Sequence, residues 1–366
     1  MKNFNYSDEN IYDRDILIAI PSMVIAVATL FLPRELASVT IALDGILALL
    51  IGGSITILIT WMIVKLASRF PQQSFLTYTS LLINKPIAVL LTCFFIWYGI
   101  LVVSYEVRAI ATISHLYLFD KTPIEVIALN FLLVVVYAVS GSRSAIFRLN
   151  ALFFPIIILI AMFVTILSFR FVVIDNIYPI LQTDVKGYIE ATKKSVISLS
   201  GYGQIGFLLF YISLIRNPVK TPGKAVFGMS SVIGINLLIY TMCITVFGNL
   251  ATSNLMFPTI ELARTVEFPG GFFNRFESLF FVVWTIAIFT TSVIAFDAAV
   301  MGLQSLLPKV NKLKFVFFLS PCIYFLSSLP KHSPEVGDAG RLIGTYGLTL
   351  TVTVTIILWI IYIVRK

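Results

Sequence analysis

Charge is scarce in this sequence of 366 residues: Asp, Glu, Lys and Arg make up 12% of it, against 58% hydrophobic residues. A soluble globular domain carries about twice that charged share, so that class is excluded. Histidine is nearly missing, for His115 and His332, both near predicted loops, are the only two. They supply neither a nucleophile–base pair nor a metal cluster. Cys93, Cys243 and Cys322 fall in apolar stretches without paired spacing, which excludes a disulfide framework and reads as core thiols. No glycine loop matches a phosphate- or dinucleotide-binding fingerprint. These absences speak against an enzyme, a metal site and a cofactor. The net charge of +8 does not indicate nucleic acid, because the basic residues sit in short connections between apolar runs.

What the chain has in quantity is apolar length, with a mean hydropathy of +0.97. It reads as one integral membrane domain, all α-helical, over residues 1–366, with a polar tail at 1–15 unlike the basic start of a cleaved leader. About ten spans follow, near residues 16–36, 44–67, 87–116, 123–141, 149–169, 195–215, 225–250, 272–304, 315–329 and 341–364. Residues 185–194 suggest a separate short surface helix, and Phe257 to Arg264 an amphipathic one. An even number of spans puts both termini on one side. Lys65, Arg69, Lys85, Arg143, Arg148, Arg216, Lys220, Lys224, Lys309, Lys312 and Lys314 crowd the short loops of that side and mark it as cytoplasmic.

Span 6 contains Ser198-Leu199-Ser200-Gly201-Tyr202-Gly203-Gln204-Ile205-Gly206-Phe207, which is a poor continuous helix. Each Gly costs about 1 kcal/mol of helix stability relative to Ala. Backbone groups freed at membrane depth must be satisfied by protein or face a cavity. Close helix packing through small residues is the other reading, but Tyr202 and Gln204 are not residues that such packing selects. In span 1, Pro21 removes a backbone donor and marks a second interruption. Spans 1 and 6 open the two halves of a ten-span chain. With five spans per half, the second copy must insert upside down, which predicts an inverted repeat with its site at the breaks.

Polar groups on spans 3 and 8 supply further candidates. Thr290, Asp297 and Gln304 recur at sevens on one face of span 8; Asp297 suits an ammonium ligand, a proton relay or an interfacial ion pair. Glu106 and Arg108 on span 3 point to different sides, so each needs a partner elsewhere, among Arg34, Glu35, Arg275 and Glu277. An ion-pair lock and ligand contact are both open for them. Tyr98 and Val102, one turn apart, suit a pocket wall, and Thr291 and Ala295 form a neighbouring stripe on span 8.

Leu32-Pro33-Arg34, Ser104-Tyr105-Glu106-Val107-Arg108-Ala109, Thr122-Pro123-Ile124-Glu125-Val126-Ile127, Phe257-Pro258-Thr259-Ile260 and Arg275-Phe276-Glu277-Ser278 with the following Val282-Val283-Trp284 and Thr290-Thr291 carry a resemblance. In order and spacing the chain resembles the membrane-embedded B subunit of bacterial spore germinant receptors, a branch of the amino acid, polyamine and organocation transporter superfamily. The resemblance implies a LeuT-like bundle of ten helices in a 5+5 inverted repeat, with helices 1 and 6 interrupted. It also implies residence in the inner membrane of the endospore, an A-type membrane subunit and a C-type lipoprotein as partners, and a small germinant, commonly an amino acid, whose binding triggers ion release. Matching motif positions imply a mid-membrane pocket at Ala26, Ala28, Tyr98, Val102, Tyr202, Gly203, Thr291 and Ala295. Many relatives have glycines before the Leu-Pro-Arg motif where this chain has Ala26-Val27-Ala28-Thr29, whose methyls narrow the pocket. The alternative is a proton-coupled amino acid transporter using Asp297 or Glu106, and a weaker one a structural subunit with a vestigial pocket.

Overall fold

The computed structural model describes residues 13–215, 217–265 and 276–365, apart from the side chains of 13, 14, 27, 28, 276–279 and 333. Among the described residues all regular structure is helical. Span 1 is the pair α1 (Asp13–Val24) and α2 (Ala26–Ala37), bent by 52°. Span 2 is α3 (Gly45–Ala67), followed by a short connecting helix, α4 (Phe75–Leu82). Spans 3, 4 and 5 are α5 (Lys85–Tyr117), α6 (Ile124–Ser140) and α7 (Arg143–Ser168). Span 6 begins with α8 (Val185–Leu199) and resumes after a break through a 3-10 turn into the single turn α9 (Leu208–Tyr211). Span 7 is α10 (Thr221–Asn254), kinked at Gly248; α11 (Pro258–Arg264) follows it. Spans 8, 9 and 10 are α12 (Phe276–Leu306), α13 (Lys312–Ser327) and α14 (Ser333–Val364).

Helix starts are set by capping side chains, and this moves some boundaries away from those predicted by hydropathy. Ser142 accepts from the Ala145 amide, so α7 starts at Arg143 and not near residue 149. Asp184 accepts from the Gly187 amide at 2.9 Å, so residues 185–194 are no separate surface helix. They run straight into the first half of span 6. Pro334 in the first turn starts α14 well before residue 341. Pro21 does not break α1; the bend falls at Ile25, whose amide still reaches the Pro21 carbonyl at 2.9 Å.

Among the described residues six helices are long and apolar enough to cross a membrane, and the two bent pairs make eight. The helices of the bundle come to ten with the apolar α6, of 17 residues, and α13, of 16. They are the short members at matching places in the two halves. Packing obeys the same exchange: span 2 lies on span 7 and span 3 on span 8, each against its own counterpart. Span 1 lies on span 7 as span 6 does on span 2, and span 5 on span 8 as span 10 does on span 3. This is the neighbour pattern of a 5+5 inverted repeat. Leu58, Leu133, Leu159 and Ile363 are exposed on the periphery, where lipid solvates them, while Trp284, Tyr98, Tyr211 and Phe207 fill the interior.

Candidate functional site

The backbone of span 6 leaves the helix at three successive left-handed residues, Gly201 (φ 59°), Tyr202 (φ 55°) and Gly203 (φ 95°). Tyr202 is the costly one, because its Cβ crowds the backbone in that region. The surroundings hold it there. Its amide donates to the Ile197 carbonyl at 2.9 Å, while its carbonyl accepts from the Tyr98 hydroxyl at 2.7 Å. The Gly203 amide donates to Ser200 Oγ at 2.9 Å, and the Gly203 carbonyl accepts from Thr351 Oγ1 at 3.1 Å. The freed groups are thus satisfied by spans 3 and 10. A Cβ on Gly201 would meet the Met23 carbonyl at 2.8 Å, so the two breaks touch. On the span 1 side, the Ala26 carbonyl accepts from Trp284 Nε1 and the Thr29 carbonyl from Thr259 Oγ1, both at 2.9 Å.

Span 10 follows this seam with a run of small residues. A Cβ on Gly340 would overlap the Tyr105 ring, one on Gly344 the Tyr202 ring, and one on Gly347 the Tyr98 ring. Three glycines on one helical face therefore accept three tyrosines from spans 3 and 6. Sequence reasoning missed this stripe, although its spacing is the small-residue pattern of close membrane helix packing.

Next to Tyr105 on span 3 lies a carboxylate. Glu106, 2% exposed, accepts from Gln204 Nε2 at 2.7 Å and from Ser292 Oγ at 2.6 Å. Spans 3, 6 and 8 meet in these two bonds. Among the described residues no cation pairs with Glu106: of the two basic partners that the sequence offers, Arg34 stands in the cavity above and Arg275 lies outside the described residues. Arg108, on another side of the helix, reaches Glu125 Oε1 at 3.7 Å and donates to the Lys331 carbonyl at 3.2 Å. Both contacts stay within the protein. Asp297, 0% exposed, lies 3.2 Å from Arg143 Nε and 3.1 Å from Lys312 Nζ, and accepts from the Tyr211 hydroxyl at 3.1 Å. Arg143 also donates to Gln304, so two of the three residues at sevens on span 8 meet Arg143, while Thr290 Oγ1 donates to the Ala287 carbonyl of its own helix. Among the described residues no three His, Cys, Asp or Glu side chains group as metal ligands.

Above Tyr202 opens a cavity of about 340 Å³. Its walls come from the end of span 1 (Phe31, Arg34, Glu35), from span 3 (Tyr105, Ala109, Thr112), from Phe257 and from the start of span 10. Spans 3 and 8 run antiparallel, with Gly99 against Ala299 and Ile96 against Gly302, so Asp297 is level with about Leu101 and lies on the far side of Glu106 from the cavity. Of the eight pocket residues that the sequence suggests, Tyr202 lines this cavity. Tyr98, Val102, Gly203, Thr291, Ala295 and Ala26 are each buried and are not among its lining residues. The side chains of Ala28 and Glu277 lie outside the described residues, as do Arg216 and Arg275.

A family model described as spore germination protein matches residues 10–336. The sequence is similar to spore germination protein GerLB of Bacillus cereus, 34% identical over 370 residues, with 100% of this chain and 98% of that protein covered. The fold is similar to that of MhsT in complex with L-phenylalanine, with a TM-score of 0.69 at 14% identity over 95% of this chain and 97% of that one. It is also similar to Mhp1, a nucleobase-cation-symport-1 family transporter in a closed conformation, with a TM-score of 0.61 at 13% identity over 92% and 75%. At those identities the solved structures speak for the fold, and the full-length sequence match speaks for the lineage: the chain belongs to the spore germination protein family, built on the LeuT-like transporter bundle.

Proposed function

We propose that this chain is the nutrient-sensing B subunit of a spore germinant receptor. It binds a small germinant, an amino acid in the first instance, and acts in the inner membrane of the endospore beside an A-type membrane subunit and a C-type lipoprotein. Both termini face the spore core. The observation that supports it most is Tyr202. Its side chain floors the cavity, its backbone is the strained point of span 6, and its carbonyl is held by Tyr98 of the implied pocket. Occupancy above Tyr202 therefore bears directly on Tyr98, which bonds its carbonyl, and on the adjoining Gly203. A ligand shifts the bundle only by its differential affinity for two arrangements, and the break is where two arrangements differ at least cost.

The test is dipicolinic acid release from spores whose only receptor contains this subunit. Wild type is compared with Tyr202→Ala over amino acids, nucleosides and sugars, with subunit levels followed by immunoblot. A shifted concentration dependence at normal abundance supports the sensor; an unchanged one at normal abundance sinks it. A second reading, a proton-coupled amino acid transporter, draws on Glu106, a buried carboxylate without a described cation. Asp297 favours that reading less, because Arg143 and Lys312 already hold it.

A further inference from the structure

Asn130 is exposed on the outer surface of α6, where it is the one polar residue between Val126 and Val136. At 1.5 Å per residue α6 is about 25 Å long, shorter than a hydrocarbon core of about 30 Å, and Asn130 lies about 9 Å in from its start. The amide is therefore at membrane depth. Two other asparagines on the spans turn back on their own helices: Asn150 Nδ2 donates to the Ile146 carbonyl at 2.8 Å and Asn236 Nδ2 to the Val232 carbonyl at 2.9 Å. Among the described residues the Asn130 side chain has no hydrogen-bond partner. Its donors and its acceptor face hydrocarbon, which is costly unless another polar group comes to them.

Beside Asn130 a groove of about 550 Å³ runs between α5, α6 and α12. Ile110, Val134, Phe281, Val282 and Ile286 give it apolar walls. Its other polar groups are spent or lie off the span. Ser114 Oγ donates to the Ile110 carbonyl at 2.6 Å, Thr285 Oγ1 donates to the Phe281 carbonyl at 3.0 Å, and Thr122 precedes α6. An acyl chain suits the walls but brings the amide neither donor nor acceptor. A second copy meeting this face across a two-fold axis would set one concavity against another. A helix is convex, and one that carries Asn, Gln, Ser or Thr bonds the amide while its apolar residues fill the groove.

We infer that the groove between α5, α6 and α12 is the docking face for a membrane-spanning helix of a different subunit, held by a hydrogen bond between Asn130 and a polar side chain on that helix. The inference rests on the reading that this chain acts beside another membrane subunit, and it adds which face that subunit meets and by what chemistry. On their inner sides α5 and α12 are joined by the bond from Ser292 to Glu106, which also accepts from Gln204 of span 6. A helix seated in the groove thus touches the backs of two helices that surround the break.

The experiment is photocrosslinking in membranes of cells that make the full chain together with the A-type membrane subunit. p-Benzoylphenylalanine is placed at Val134 or Val282 in the groove, and at Leu159 on α7 or Phe318 on α13 as exposed controls. The groove positions should give an adduct at the summed mass of the two different subunits, and the control positions should not. Asn130→Leu, which keeps the size and suits lipid, should raise the partner level needed for half-maximal adduct about three- to thirtyfold, the worth of one hydrogen bond between membrane helices. Asn130→Gln, which keeps the amide, should stay within a fewfold of wild type. Equal yields with Asn130→Leu and wild type overturn the hydrogen bond as the recognition chemistry. An adduct at twice the mass of this chain overturns the proposal in favour of a second copy. A partner that copurifies with wild type while the groove positions capture no protein overturns the face and leaves the subunit reading intact. A partner that neither cross-links nor copurifies overturns the subunit reading and the groove with it.

Discussion

The Tyr98 hydroxyl donates to the Tyr202 carbonyl over 2.7 Å, so span 3 closes a backbone group that the break in span 6 sets free. Neither residue makes sense alone. Tyr202 sits at a positive φ that an ordinary residue avoids, and Tyr98 is a fully buried tyrosine whose polar tip needs an acceptor. Tyr98→Phe keeps the ring and strands the carbonyl. The loss should be about 1–3 kcal/mol, the range for an unsatisfied buried polar group. Thermal unfolding of the purified protein should show a lower midpoint with wild-type levels in the membrane fraction. In the sensor reading the same change should also alter the germinant concentration needed for half-maximal release.

The glycine stripe of span 10 gives a prediction with an internal control. Gly344→Ala and Gly347→Ala place a methyl against the Tyr202 and Tyr98 rings, where overpacking costs about 1–3 kcal/mol. Gly337, on the same helix, has nothing within 4 Å of an added Cβ. Gly337→Ala should therefore be neutral or stabilise by up to about 1 kcal/mol through helix propensity. Melting temperatures of the three variants decide this. Equal effects at all three positions would mean that the stripe is merely helix and not a seat for the tyrosines.

The break in span 6 was legible because glycine is expensive in a helix and Tyr202 and Gln204 are out of place in a packing seam. The order of spans was legible for the same reason, since twenty apolar residues in a row have few other uses. Partners were not. Glu106 could be seen to need one, but whether Arg34 or Gln204 supplies it depends on how span 3 is rotated, which hydropathy does not encode. Asp297 was seen near the basic end of its span, and its partners Arg143 and Lys312 come from loops that the sequence assigns to the same side. The cavity itself was hidden, because its walls come from five separate stretches and only Tyr202 belonged to the suggested pocket.

Glu106 separates the two functional readings. Glu106→Gln keeps the shape, and Ser292 can turn to accept from the new amide, so the bundle should hold. Glu106→Ala removes the acceptor of both Gln204 and Ser292 and should cost about 2–6 kcal/mol, the sum for two stranded buried groups. Uptake of labelled amino acid into proteoliposomes under an imposed proton gradient is the discriminating measurement. A transporter using Glu106 should lose gradient-driven uptake in Glu106→Gln, whereas a sensor should show no such uptake in wild type to begin with.

Asp297 fastens span 8 to the starts of α7 and α13. It is fully buried, while its partners Arg143 and Lys312 keep 28% and 17% of their side-chain surface. Asp297→Asn leaves two cations facing one another without a counter-charge and should cost about 2–4 kcal/mol, below a fully buried pair because both cations are partly solvated. Removing one cation is a different matter. Lys312→Gln or Arg143→Gln relieves the repulsion between them while Asp297 keeps a partner, so each alone should cost about 1 kcal/mol. Among the described residues the double variant leaves the buried carboxylate the Tyr211 hydroxyl as its remaining partner. Its cost should therefore exceed the sum of the single changes by about 0.5–3 kcal/mol, the coupling expected of groups that share one partner. A double-mutant cycle on thermal or denaturant unfolding measures that excess. Strict additivity would mean that the two cations hold the span independently and that Asp297 is not their common anchor.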